Sequence, residues 1–190
     1  MLKVAVAQIG SVLFDTASTL QRVERLCEEA ASAGVRLVVF PEALLGGYPK
    51  GLDFGTVVGS RSDAGKEMFA RYFKAAIPCP GAETEIVAEW ARRLGLHIVI
   101  GVVERDGGTL YCSSLLFSPE GGLVAKHRKL MPTGSERLIW GLGDGSKSLI
   151  CLTIGMRRLT ARSLLVPKTL AIALLNKTGV LRGACFRPSL

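Results

Sequence analysis

Two apolar runs rich in β-branched residues, KVAVAQI at 3–9 and VRLVVF at 35–40, constrain this chain more than any other feature. Neither alternates polar with apolar residues, so each reads as a strand covered on both faces. Between them Leu20, Val23, Cys27 and Ala30 recur at steps of three and four, one buried stripe on a helix over about 17–33. Asp15, Thr16 and Ser18 offer N-caps for it and Gly34 a stop. Strand, helix and strand in this pattern form a β-α-β unit with parallel strands and a right-handed crossover. Two further helices are expected over 63–76, with Met68, Tyr72 and Phe73 on one side, and over 82–94, with Ile86, Trp90 and Leu94. The strands HIVIGVVE (97–104), LYCSSLLFS (110–118) and LVAKHRK (123–129) follow, joined by the glycine turns RDGGT and PEGG. The order β-α-β-α-α-β-β-β predicts a layered α/β domain with a mixed sheet.

A chain of 190 residues with 48% apolar content and a mean hydropathy of +0.34 can bury a substantial single core. Its five cysteines show neither metal-ligand nor disulfide spacing. No run reaches the roughly 18 apolar residues of a membrane helix. The expectation is a cytoplasmic protein with reduced thiols and no membrane partner. The net charge of +8 is unevenly spread: all 16 acidic residues precede Lys147, while eight of the 24 Lys and Arg lie from Lys147 onward. This places a compositional boundary at about Ser146, dividing 1–146 from a basic tail over 147–190. The tail is apolar without a clean period of two or 3.6, and Pro167 interrupts its best helical candidate. It either meets an anionic partner or is not a selected sequence. With Phe186 as its one aromatic residue it lacks the stacking partners that single-stranded nucleic acid requires, so no nucleic acid is expected.

Two stretches carry chemistry. In VVFPEALLGGYPKG (38–51) Glu42 follows the carboxyl end of a buried strand, where ligand sites of α/β sheets gather. Flanked by Phe40, Leu44 and Leu45, its carboxylate is partly desolvated, as a general base is; the alternative is a turn glutamate paired with a surface arginine. In KHRKLMPTGSERLIWGLGDGS (126–146), Lys126, Arg128 and Lys129 leave a strand end and enter a loop holding Glu136 and Trp140. A lysine held near a carboxylate can stabilise an oxyanion or a tetrahedral intermediate, while the blander alternative is a solvated basic strand end. His127 reads as a surface or packing residue.

Read jointly, KVAVAQIGSVLFDTASTL, GVRLVVFPEALLGGYPKG and GVVERDGGTLYCSSLLFSPEGGLVAKHRKLMPTGSERLIWGLGDGS resemble the nitrilase branch of the carbon–nitrogen hydrolase superfamily over about residues 3–146. The GYP after Glu42 and the RKLMPT, ER and WGLGDG groups favour nitrilases over amidases and carbamoylases. The resemblance implies the N-terminal part of an α-β-β-α sandwich with mixed sheets, a homo-oligomer, a nitrile substrate, and no cofactor or metal. It also implies a Glu-Lys-Cys triad in which Glu42 is the general base and Lys129 steadies the intermediate. Glu136 would be the second glutamate, positioning lysine and substrate.

One member of that triad is missing. The family's cysteine lies about 34 residues beyond the lysine, followed by Trp-Glu, which points near Ser163 in LTARSLLVPK. No cysteine lies between 152 and 184; Cys151 falls early, Cys185 late, and neither precedes Trp-Glu. Three explanations stay open: a reading-frame shift near codon 147, a truncated non-catalytic paralogue used in assembly or interaction, or an enzyme using Cys151. The chain is expected to be inactive on nitriles. It is also expected to expose a sheet face and an unpaired edge, and so to be poorly soluble.

Overall fold

The computed structural model describes residues 2–145, together with the backbone of 169–175 and 181–186. Strand β1 (Leu2–Gln8) leads into helix α1 (Thr16–Ser32), which Asp15 caps by accepting the Ser18 N–H. Strand β2 (Leu37–Val39) follows, then α2 (Asp63–Ala75), α3 (Ala82–Leu94) and the strands β3 (His97–Asp106), β4 (Thr109–Ser118) and β5 (Gly122–Arg128). A 3-10 turn occupies Gly134–Leu138. The element order is the one expected, and Leu20, Val23, Cys27 and Ala30 form the buried stripe of α1. In α3 the stripe differs: Thr84, Val87, Ala88, Trp90 and Ala91 are buried, whereas Ile86 is 42% exposed. At 100° per residue Ile86 lies off the line that Thr84, Val87, Ala88 and Ala91 draw along the helix.

The strands form one mixed sheet in the order β5-β4-β3-β2-β1-β6-β7, where β6 is Thr169–Leu175 and β7 is Leu181–Phe186. β1, β2 and β3 run parallel, and β3, β4 and β5 antiparallel. The β3–β4 hairpin turns on Gly107 and Gly108. β6 pairs with β1 antiparallel from Leu2↔Leu175 to Gln8↔Thr169, so the open sheet ends at β5 and β7. The tail therefore contains strands that its pattern did not announce. Continuous apolar runs such as TLAIALL carry no period, and strand pairing needs only their length and an available edge.

The main core lies between the sheet and helices α1 and α3. Ala5, Val38, Ile98, Ile100 and Phe117 of the sheet meet Val23 and Cys27 of α1 and Val87 and Trp90 of α3. A second, smaller core joins Tyr72 of α2 with Ala43, Val103, Leu110, Cys112 and Trp140. The register Val103↔Cys112 puts those two side chains on the sheet face opposite the helical layer. Sheet and helical layer together make one half of the expected sandwich. Among the described residues no helix is long and apolar enough to cross a membrane.

Candidate active site

Glu42 is positioned by the way the chain leaves β2. The Gly101 N–H donates to Pro41 O, and the N–H groups of Leu44 and Leu45 donate to Gly101 O at 2.7 and 3.2 Å. The segment carrying Glu42 thus lies directly on β3. A β-carbon at Gly101 would sit 2.4 Å from Pro41 O and 2.5 Å from Glu42 Cα, so only glycine admits this approach. Ala43 has φ 51, in the left-handed region, so the residue beside the carboxylate is held in a conformation that costs roughly 1–2 kcal/mol.

Lys129 follows β5 and is held by its N–H donating to Cys112 O at 2.7 Å. Its ammonium donates to Glu42 Oε1 at 2.9 Å and to Glu136 Oε2 at 2.8 Å. Glu136 is 7% exposed and sits in the 3-10 turn. Its Oε2 also accepts the Thr133 N–H, and its Oε1 accepts the Tyr48 hydroxyl at 2.8 Å. Burial pushes the Lys129 pKa down, but hydrogen bonds to Glu136 and Glu42 outweigh it and hold the group above its ordinary value. Burial likewise raises Glu136, yet Lys129, the Thr133 N–H and Tyr48 leave it below the usual carboxylate range. The result is an ammonium clasped by two carboxylates, charged throughout the neutral range.

The wall of the site is aromatic and tied together. Tyr48 meets Trp140 edge to face at 5.7 Å, and the Lys129 ammonium lies 5.9 Å from the Trp140 ring centroid. Trp140 Nε1 donates to Tyr72 Oη at 3.2 Å, and the Tyr72 hydroxyl donates to Gly47 O at 3.0 Å. The glycine loop after Glu42 is thereby anchored to α2 and to the loop beyond Lys129. Cys112 of β4 completes the cluster, its thiol 3.4 Å from Glu42 Oε1.

On the helical face of the same strands Glu104, 1% exposed, accepts from Lys126, Ser113 and Arg128, the last through two nitrogens. Lys126, Arg128 and Lys129 are therefore not a solvated basic strand end: alternate residues pair with Glu104 on one face and Lys129 with Glu42 and Glu136 on the other. Glu42 pairs with Lys129. Sequence reasoning brought out Glu42, Lys129 and Glu136, which the fold gathers into one hydrogen-bonded cluster, but it overlooked Cys112, Tyr48 and Glu104. Cross-strand register was the signal that would have found Cys112 and Glu104, whereas Tyr48 lies in the loop after Glu42, outside any strand. Cys151 and Ser163 lie outside the described residues, as do the side chains of β7 that include Cys185. Among the described residues no group of three His, Cys, Asp or Glu side chains is placed to hold a metal ion.

The Carbon-nitrogen hydrolase family matches residues 3–162. An aliphatic nitrilase of Sinorhizobium fredii is 52% identical over 144 residues, covering 76% of this chain and 46% of that protein. A bifunctional nitrilase/nitrile hydratase of Lupinus angustifolius is 50% identical over 145 residues, covering 76% and 42%. Nitrilase 3 of Arabidopsis thaliana is 49% identical over the same length. The chain thus spans less than half the length of these relatives. Among solved structures, an amidase from Nesterenkonia sp. superposes with a TM-score of 0.56 at 18% identity, covering 75% of this chain and 48% of the amidase. A carbon–nitrogen hydrolase superfamily protein from Xanthomonas campestris gives 0.55 at 22% identity, covering 75% and 46%, which supports the fold alone. The chain belongs to the carbon–nitrogen hydrolase family.

Proposed function

We propose that residues 1–146 carry the acid–base half of a nitrile-hydrolysing site and that the 190-residue chain lacks the nucleophile to complete it. The observation that carries this reading is the Lys129 ammonium held at 2.9 Å from Glu42 and 2.8 Å from Glu136. In such a site a cysteine thiol loses its proton to Glu42 and the sulfur attacks the nitrile carbon, giving a thioimidate. Lys129 offers its N–H to the nitrogen on which negative charge develops. Glu42 passes the thiol proton to the nitrile nitrogen and so becomes a base again. It then takes a proton from water as the water adds to the thioimidate carbon and hands it to the nitrogen. Ammonia leaves with a thioester remaining, and a second water hydrolyses the thioester to the acid as the thiol regains its proton. Glu136 fixes the ammonium and, through Tyr48, the loop behind Glu42.

The supply of the thiol is the weak point. The family spacing leads to Ser163, and an alkoxide is far harder to generate at neutral pH than a thiolate. A second reading, a non-catalytic paralogue acting in assembly or interaction, draws support from this same absence. The test is ammonia release from a panel of aliphatic and aromatic nitriles by the purified chain, for which no turnover is expected. Release abolished by Glu42→Gln would overturn the claim that the nucleophile is lacking. Resequencing codons 140–200 then separates the two readings. A shifted frame encoding Cys-Trp-Glu about 34 codons past Lys129 supports a hydrolase interrupted by a lesion, and its absence favours the paralogue.

A further inference from the structure

Cys112 is buried, 4% exposed, yet it stands inside the charged cluster and has no part in the chemistry above. Two of its groups reach the two sides of the site. The thiol lies 3.4 Å from Glu42 Oε1, the same oxygen that accepts Lys129 Nζ, and the main-chain carbonyl accepts the Lys129 N–H at 2.7 Å. The rest of its surroundings is apolar: Ala43, Tyr72, Val103, Leu110 and Trp140. We propose that Cys112 is a positioning residue, its S–H fixing the Glu42 carboxylate while its carbonyl fixes Lys129, so that one β4 residue sets the separation of base and ammonium.

The alternative role, attacking nucleophile, is disfavoured by the same geometry. Burial first, and then the Glu42 charge, push the thiol well above its ordinary range, so the thiolate is scarce. A protonated thiol is instead a weak donor that a carboxylate strengthens. Sulfur also suits the apolar half of the pocket, which a serine hydroxyl would fill less well. The titratable groups facing the thiol are Glu42 from the loop after β2, Lys129 after β5, Glu136 from the 3-10 turn and Tyr72 from α2.

The inference rests on the reading of Glu42 as the base, but its test requires no turnover, so the two fail separately. The full chain is treated with iodoacetamide at about pH 8.5 and each cysteine is followed by peptide mass spectrometry. Glu42→Gln removes the negative charge nearest the thiol, and labelling of Cys112 is expected to rise about tenfold, one pKa unit. Lys129→Met removes the cation and is expected to slow labelling by a similar factor. Cys27 and Cys79, buried away from the cluster, should label at unchanged rates in both. Unchanged Cys112 rates in both variants with Cys27 still protected would overturn the proposal.

If Cys27 becomes reactive along with Cys112, the variant has unfolded and the wild-type chain decides. Its S–H stretching band, assigned by loss in Cys112→Ser, should lie below that of a thiol in apolar solvent and rise in acid. A band at the apolar-solvent position, insensitive to acid, would refute the hydrogen bond.

Discussion

Replacing Gly101 with alanine would drive a methyl group into the backbone that carries Glu42. The three nearest atoms are Pro41 O at 2.4 Å, Glu42 Cα at 2.5 Å and Ala43 N at 2.6 Å, against ordinary contacts beginning at 3.4 Å. None belongs to a side chain that can rotate aside, so the segment must lift by about 1 Å, at a cost near the upper end of overpacking, about 3 kcal/mol. With a urea dependence of about 2 kcal/mol per molar, the unfolding midpoint should fall by about 1.5 M. The lift also separates Glu42 from Cys112 and Lys129, so Cys112 should label faster even where the chain remains folded. Gly108→Ala serves as the control, because a β-carbon there meets nothing within 4 Å. A midpoint for Gly101→Ala within error of that control, with Cys112 labelling unaltered, would refute the claim that close approach at Gly101 builds the site.

Glu104→Gln would leave Lys126 and Arg128 without their buried counter-charge, and a loss of about 3–5 kcal/mol is expected in urea unfolding. Burial raises the Glu104 carboxyl, but Arg128, Lys126 and Ser113 outweigh it and set its pKa below the ordinary 4.5, as the Glu136 partners do for theirs. A lowered carboxylate contributes stability above its unfolded pKa and loses it as pH falls through the folded value. Unfolding stability should therefore decline with acid below about pH 4.5, and less steeply in Glu104→Gln. For Lys129 the sign is opposite: its raised pKa contributes stability that is lost in alkali beyond its ordinary 10.5, a limb that Lys129→Met should flatten. Tyr48→Phe removes one hydrogen bond to Glu136 from a partly exposed hydroxyl, with an expected cost of about 1 kcal/mol in the same measurement.

The helices, strands and parallel β-α-β unit were legible because their signals are local. Asp15 announced a cap, the α1 stripe a face, and Gly107–Gly108 a hairpin. Glu42 and Lys129 were legible as chemistry because each follows a strand end within a distinctive run of residues. What stayed hidden depends on pairing across strands. Nothing in LYCSSLLFS says that Cys112 faces Val103 and Glu42, and nothing in HIVIGVVE says that its glutamate turns inward to meet Lys126 and Arg128. Ile86 misled because three apolar residues at steps of four approximate a stripe that the true one, at three and four, rotates past. The β6–β7 hairpin had no period to read, since an apolar run of strand length records neither its partner nor its direction.

The central claim, that Glu42, Lys129 and Glu136 form the acid–base half of a nitrile-hydrolysing site, is tested most directly by giving that half a nucleophile. Residues 1–146 joined to the remaining C-terminal part of the Sinorhizobium fredii nitrilase should release ammonia from aliphatic nitriles. Glu42→Gln or Lys129→Met in that chimaera should lower the rate about 1,000-fold. A soluble, folded chimaera without turnover, or one indifferent to both substitutions, would contradict the account.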